Sequence, residues 1–363
     1  LCTLGDFTRS AVACLNHATS ITEEELQLDM DWTSKRVLVT GADGFIGSHL
    51  SEALVRAGAE VTALALYNSF DSAGWLDDTD NEVRAGMTIV RGDVRDAWQM
   101  QTLCTGADTV FHLAALIAIP FSYEAPASYV ATNVTGTVNV LNGCRAAEVR
   151  RVVHTSTSEV YGTAQVRPIP ESHPLQGQSP YSASKIGADM IAESFFRSFD
   201  LPTVTLRPFN TYGPRQSERA VIPTVIRQAL DPACPDIRIG DRTPERDFNF
   251  VDDTVAAFLA AAGMDEAHLG KTFNAGSGRM VTIGETVDLI TSTTGANKQI
   301  IEEAARKRPA KSEVMALMAD ASALTATSGW QPQTSLEDGL AATIDWWRTR
   351  IAAGVRPSRG YMT

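Results

Sequence analysis

Tyr181 and Lys185 stand four residues apart in the run Tyr181-Ser182-Ala183-Ser184-Lys185, a spacing that places both on one face of a helix. An ammonium beside a phenol favours the phenolate, so the pair reads as an acid/base in which Tyr181 exchanges the proton and Lys185 tunes it. The pair comes third in an ordered series. A glycine-rich turn, Gly41-x-x-Gly44-x-x-Gly47, lies near the start, and a Ser/Thr-rich strand end, Thr157-Ser158-Glu159, lies between.

The elements that must position these groups follow from the pattern. Arg36-Val37-Leu38-Val39-Thr40 predicts a strand that stops at Gly41, and Phe45 to Ala57 carries helical spacing at Ile46, Leu50, Leu54 and Ala57. In such a strand, turn and helix, Gly41 permits the turn, Gly44 lets the backbone approach a pyrophosphate and Gly47 allows close helix packing. The helix N-terminus favours the phosphate charge. Glu60 to Leu66 predicts the second strand, after which Tyr67-Asn68-Ser69 offers no acid for the adenosine ribose, so Asn68 and Ser69 suit either NAD or NADP. Further strands are expected at Met87 to Val90, Val110 to Leu113, Val152 to Thr155 and Thr203 to Leu206. Helical stretches between them imply a parallel sheet covered on both faces, with ligands at the carboxyl ends of its strands. Asp93 and Val94 fall at one such end, where an acid can meet the adenine amine. Ala114 and Ala115 fall at another, where small residues let a cofactor lie close. His112 reads as a satisfied core histidine.

The 363 residues, 44% of them hydrophobic, suffice for one large two-lobed unit. The formal charge of -12 argues against a nucleic-acid partner. No uncharged apolar run approaches the roughly 18 residues a bilayer helix needs, so no membrane span is expected; the cysteine pattern is what suggests a cytoplasmic location. Cys2, Cys14, Cys104, Cys144 and Cys234 are scattered and lack neighbouring histidines, which suggests reduced thiols and no metal site. Residues 1–34 read as an extension outside the fold, with Ser20 to Glu25 able to start a short helix. Residues 35–208 and about 243–276 form the expected cofactor domain, residues 209–242 and 277–352 a smaller lobe, and residues 353–363 a tail. Two long helices, about Ala127 to Ala147 and Ser182 to Phe199, are apolar on more than one face, which predicts a homodimer through a four-helix contact.

The series Gly41-x-x-Gly44-x-x-Gly47, His112-Leu113-Ala114-Ala115, Thr157-Ser158-Glu159-Val160-Tyr161-Gly162, Tyr181-x-x-x-Lys185, Arg207-Pro208-Phe209-Asn210-x-Tyr212-Gly213-Pro214 and Arg246-Asp247-Phe248 resembles the extended short-chain dehydrogenase/reductase family, from about Lys35 to Trp347. Within it, Thr157-Ser158-Glu159 is similar to the nucleotide-sugar 4,6-dehydratases and to the UDP-glucuronate decarboxylases. Leu116 to Tyr123 and Arg246 to Val251 look most like the dehydratases of the legionaminic acid pathway. The resemblance implies an α/β fold: a Rossmann doubly wound parallel sheet with a smaller C-terminal substrate-binding lobe. It implies an NAD site, NADP not excluded, formed by Gly41, Gly44, Phe45, Ile46, Gly47, Asn68, Asp93, Val94, Leu113, Ala114, Ala115, Asn133, Tyr181, Lys185 and Pro208. It further implies a nucleotide-diphosphate sugar as substrate, its diphosphate held by Asn210, Arg246 and Arg308, with Arg215 and Lys311 as weaker candidates.

The chemistry that the resemblance implies is a transient oxidation at sugar C4. Tyr181, its pKa lowered by Lys185 and by a cationic nicotinamide, takes the 4-hydroxyl proton, and Thr157 hydrogen-bonds the same oxygen. The 4-ketone acidifies the C5 proton, which Glu159 removes as the 6-hydroxyl departs. Many dehydratases carry Asp at the position of Ser158, whereas the GDP-mannose dehydratases share Thr-Ser-Glu. Here Glu159 does both proton transfers, or Ser158 or a water relays one. The alternatives are a decarboxylase, a 4-epimerase, which has no need of Glu159, and an NAD(P)-binding regulator without turnover.

Overall fold

The structure, a computed structural model, describes residues 30–306, 309 and 312–354. Seven parallel strands form the main sheet: β1 (Arg36–Thr40), β2 (Glu60–Leu66), β3 (Met87–Gly92), β4 (Thr109–His112), β5 (Arg151–Thr155), β6 (Thr203–Pro208) and, after three strands of the smaller lobe, β10 (Thr272–Ala275). Their spatial order is β10-β6-β5-β4-β1-β2-β3. The chain order reverses between β1 and β4, and at such a switch point the carboxyl ends of the strands splay into a crevice. The lobe strands β7 (Asn210–Tyr212), β9 (Glu245–Phe250) and β11 (Met280–Thr282) make a three-stranded sheet. The pair β8 (Asp236–Ile239) and β12 (Gln299–Glu302) makes a two-stranded one.

β1 and β2 lie where the sequence places them, while β10 was not foreseen. Val255, Phe258 and Leu259 of the Val251–Gly263 helix pack against Val39, Phe111, Val153 and Val204, so this helix covers the main sheet as expected. The strand before it does not join that sheet. Its Phe248 and Phe250 belong to the lobe core with Tyr212, Ile222 and Leu340, which moves the boundary expected near 243 to the start of the helix. The expected extension ends too late as well. Trp32 is 1% exposed and packs with its ring centroid 5.9 Å from that of Phe111. Residues 1–29 and most of the tail lie outside the described residues.

The helix expected over Ala127 to Ala147 is three pieces: Pro126–Tyr129, a π-helical turn Val130–Thr135, and Gly136–Ala146. The helix of the Tyr-Lys pair runs Pro180–Phe199. Ser179 opens it with a capping box, its hydroxyl accepting from the Ser182 amide while Ser182 accepts from the Ser179 amide, and Pro180 occupies the first turn. Asp200, left-handed at φ 53°, ends it. Cys104 and Cys144, distant in sequence, are buried free thiols with sulfurs 3.7 Å apart. Among the described residues no helix is long and apolar enough to cross a membrane.

Candidate active site

The glycine turn is built at the switch point. Gly41 has φ +69°, and a Cβ there would meet the Ala114 amide nitrogen at 2.7 Å. A Cβ on Gly47 would meet the Gly41 carbonyl oxygen at 2.1 Å, so the Phe45–Arg56 helix lies directly on the turn. That helix has no side-chain cap and no acid in its first turn. Uncapped amides at a helix N-terminus suit a pyrophosphate, and this cradle fits the dinucleotide that the spacing predicted.

The ribose end departs from expectation. The Asn68 amide is committed to its own loop, accepting from the Phe70 and Ser72 amides and donating to the carbonyls of Leu66 and Ser72. The carboxylate at the end of β2 comes from within the glycine turn: Asp43 accepts the Leu66 amide at 3.2 Å, and burial raises its pKa. Asp93 is forked to Arg95, with Nε at 2.9 and 3.0 Å, and this pairing holds its carboxyl below the usual range. Val94 packs beside Gly136, where an added Cβ would meet it at 2.7 Å.

Behind the switch point a chain of hydrogen bonds fixes the floor. Thr40 accepts the Ala114 amide at 3.2 Å and gives its proton to Nδ1 of His112 at 2.8 Å. Nε2 of His112 donates to Thr137 at 3.0 Å, and Thr137 donates to the Asn133 carbonyl at 2.6 Å. The partners thus assign the tautomer, and His112 is a satisfied core histidine held neutral by burial. Asn133, in the π-helical turn, clamps both backbone groups of Leu116 at 2.8 and 2.9 Å. Its amide also donates to Ser184, which donates to the Tyr181 carbonyl. The strip from Leu113 to Leu116 is thereby tied to the Tyr181 helix.

Tyr181, Thr157 and Glu159 meet at the end of β5. Thr157 lies beside the Tyr181 phenol and favours its charged form, and the Glu159 carboxylate is near enough to push it toward its neutral form. Tyr129 presses edge-on to Tyr181, centroids 6.3 Å apart. Ser158 is buried in the short 3-10 helix Ser158–Tyr161 that Thr157 caps. The expected depression of the Tyr181 pKa does not occur in the protein alone. Burial dominates and drives the phenol well above its ordinary value. Lys185, also buried, is brought down to about 8, and its Nζ donates to the Thr155 carbonyl at 2.6 Å. Helix spacing put the two on one face, as foreseen. The desolvation of both is what sequence spacing cannot show.

The substrate candidates divide. Asn210 lies on β7, its side-chain oxygen buried and without a partner, which suits a ligand donor. Arg246, on β9, is ion-paired to Glu313 at 2.9 Å. Arg215 is not a ligand group in this arrangement. Its guanidinium meets Glu52 at 2.6 Å and Ser48 at 3.2 Å, both on the Phe45–Arg56 helix, so it ties the lobe to the cofactor domain. Arg308 and Lys311 lie outside the described residues. Just beyond them Ser312 bonds Tyr123 at 2.6 Å and the Gln178 carbonyl at 2.8 Å, which ties the 116–123 stretch to the segment before the Tyr181 helix. Asp247, between Arg246 and Phe248, accepts from Ser277, Gly278 and Ala319 amides and is a structural anchor.

A glycine cradle at the switch point of a parallel sheet, facing a Thr, Glu and Tyr-Lys constellation, defines the dinucleotide-dependent class of α/β folds. The chain matches the family model described as GDP-mannose 4,6 dehydratase over residues 38–343. It is 34% identical over 319 residues to UDP-glucose 4-epimerase of Mycolicibacterium smegmatis, covering 87% of this chain and 99% of that one. It is 32% identical over 327 residues to a dTDP-glucose 4,6-dehydratase of Streptomyces antibioticus, covering 87% and 93%. The solved dTDP-glucose 4,6-dehydratase DesIV of Streptomyces venezuelae, with NAD bound, is similar at TM-score 0.76 and 30% identity, covering 88% of this chain and 98% of that one. The chain belongs to the extended NAD-dependent epimerase/dehydratase family of nucleotide-sugar enzymes, with a GDP-mannose dehydratase-like domain.

Proposed function

We propose that the protein is a nucleotide-sugar 4,6-dehydratase forming a 4-keto-6-deoxy sugar. The supporting observation is that Glu159 sits in the Ser158–Tyr161 turn capped by Thr157, directly after β5, close enough for its charge to act on the Tyr181 phenol. A 4-epimerase needs only the phenol. NAD, when bound, supplies the two-electron acceptor and a ring cation that favours the Tyr181 phenolate. Tyr181 then takes the proton of the sugar 4-hydroxyl while Thr157 hydrogen-bonds that oxygen. Once C4 is a ketone, Glu159 removes the acidified C5 proton. The same proton goes to the departing 6-hydroxyl, directly or across Ser158; return to C6 of the hydride taken from C4, with a water-derived proton given to C5 through Glu159, would complete the 4-keto-6-deoxy sugar and leave the cofactor unchanged. Asn210 and Arg246 orient the diphosphate; Arg246 exchanges Glu313 for phosphate oxygens.

For the substrate we favour a nucleotide-linked N-acetylglucosamine, on the likeness of Leu116 to Tyr123 and of Arg246 to Val251 to the legionaminic-pathway dehydratases. The test is incubation with UDP- and GDP-N-acetylglucosamine, dTDP-glucose and UDP-glucuronate, followed by mass spectrometry. Loss of water is expected. An unchanged mass with an altered C4 configuration would establish the epimerase reading that the Mycolicibacterium relative motivates, and loss of carbon dioxide the decarboxylase. We also propose a homodimer: Val130 and Met190, on the two long helical stretches, are exposed, whereas Arg145 covers Phe199 at 4.2 Å. Light scattering at micromolar concentration decides that point.

A further inference from the structure

Four residues beyond Lys185, on the same helix face, Asp189 is 3% exposed and accepts from three side chains at once. Ser156, the residue before Thr157, donates to it at 2.7 Å, His154 Nε2 at 3.2 Å, and Arg207 through Nε at 3.2 Å and a terminal nitrogen at 2.9 Å. Arg207 sits one residue before Pro208 at the end of β6, and it continues the network by donating to the Tyr161 hydroxyl at 2.9 Å, which donates to Asn274 on β10 at 2.7 Å. One buried carboxylate therefore joins the ends of β5 and β6 to the helix that carries the Tyr-Lys pair.

We propose that Asp189 is a positioning residue: its carboxylate fixes the Thr157 strand end against the Tyr181 helix and keeps the Lys185 amine charged during turnover. This rests on the reading of Tyr181 and Lys185 as the acid/base pair. The groups that face Lys185 support it. Besides Tyr181 and Asp189 on its own helix, they are His112 from β4 and His154 from β5, and burial keeps both imidazoles from taking a proton. Asp189 is the anion that opposes the desolvation of the amine. It also neutralises Arg207, which otherwise leaves a second buried cation under the site.

The experiment is the pH dependence of kcat for Asp189→Asn, together with an NMR titration of 13C-labelled lysine in the NAD-loaded enzyme, the Lys185 signal assigned by Lys185→Arg. The variant is expected to move the alkaline limb, near pH 8 in the parent, to lower pH by about one unit, with the Lys185 resonance moving in parallel. Activity at pH 8 then falls about fourfold more than at pH 6.5. Ser156→Ala, which removes one donor and no charge, is expected to lower kcat with the limb in place. A uniform loss in Asp189→Asn with limb and resonance unmoved overturns the proposal. Should that variant not fold, Asp189→Glu keeps the charge and displaces the carboxylate; a lowered kcat with the limb near its parental place supports the positioning role, and a parental kcat overturns it. Full turnover by Tyr181→Phe would instead sink the underlying acid/base reading, so the two failures are distinguishable.

Discussion

Two buried sets of ionisable groups lie a short way apart, and they are built on opposite terms. At the lobe junction charge is answered by charge: Arg215 meets Glu52 at 2.6 Å, and Thr79 donates to the same carboxylate at 2.7 Å. In the cleft, Tyr181 and Lys185 share a helix face, yet the amine donates to a backbone carbonyl and the phenol lies beside Thr157. Burial therefore moves the phenol up and the amine down, and neither is in a direct ion pair: Asp189, which opposes the shift of the amine, is itself paired with Arg207. The contrast teaches that paired burial holds elements together, whereas unpaired burial leaves protonation states that a bound cation or substrate can shift.

The largest expected effect breaks the cleft. Tyr181→Phe keeps the ring against Tyr129 and removes the proton, so turnover should fall by roughly a thousandfold. Bound NAD should be retained, measured by absorbance after gel filtration. Next, Glu159→Gln should form the 4-ketone and stall before water is lost, lowering product formation by roughly a hundredfold; trapping the ketone with borodeuteride locates the block, and parental rates of product would refute the carboxylate's role.

At the junction the same kind of change should register as stability. Glu52→Gln leaves the Arg215 cation buried without its carboxylate, and urea unfolding should show a loss of about 3 kcal/mol. The smallest effect depends on pH. Burial and Asp253 raise the Asp252 pKa to about 6. A carboxyl whose folded value is raised favours the fold below its unfolded value and loses that contribution as pH rises through the folded one. Asp252→Asn should therefore stabilise at pH 8, by about 1 kcal/mol after allowance for solvent screening, and leave stability unchanged near pH 4. His49 runs the other way: burial and Arg215 hold it down at about 4, so its contribution is present above pH 6.5 and lost as pH falls toward 4. Melting curves across pH 4–8 separate the two.

Much of the frame was legible because each signal was local. Arg36 to Thr40 ends at a glycine whose φ only the turn explains, and Glu60 to Leu66 is an apolar run with the same bounds as β2. What sequence could not show was set by distant partners. Arg215 looked like a phosphate ligand because Glu52 is 163 positions away, a separation across which no pattern warns of an ion pair. Asn68 looked free because its four loop hydrogen bonds depend on how Phe70 and Ser72 turn back. The Asp189 hub did leave a trace, at the next helical step after Lys185, that the spacing rule alone would have found. β10, four residues between loops, carried no period long enough to read.

The π-helical turn at Val130–Thr135 has a consequence for insertions and deletions in this stretch. An i→i+5 turn holds one residue more than an α-turn would, so the faces before and after it are out of phase by about one residue's rotation. Removing a single residue anywhere between 130 and 135 would restore a regular spiral, swing Asn133 off the Leu116 backbone and uncouple the cofactor strip from the Tyr181 helix. Tolerance to substitution along this segment should thus greatly exceed its tolerance to a change in length.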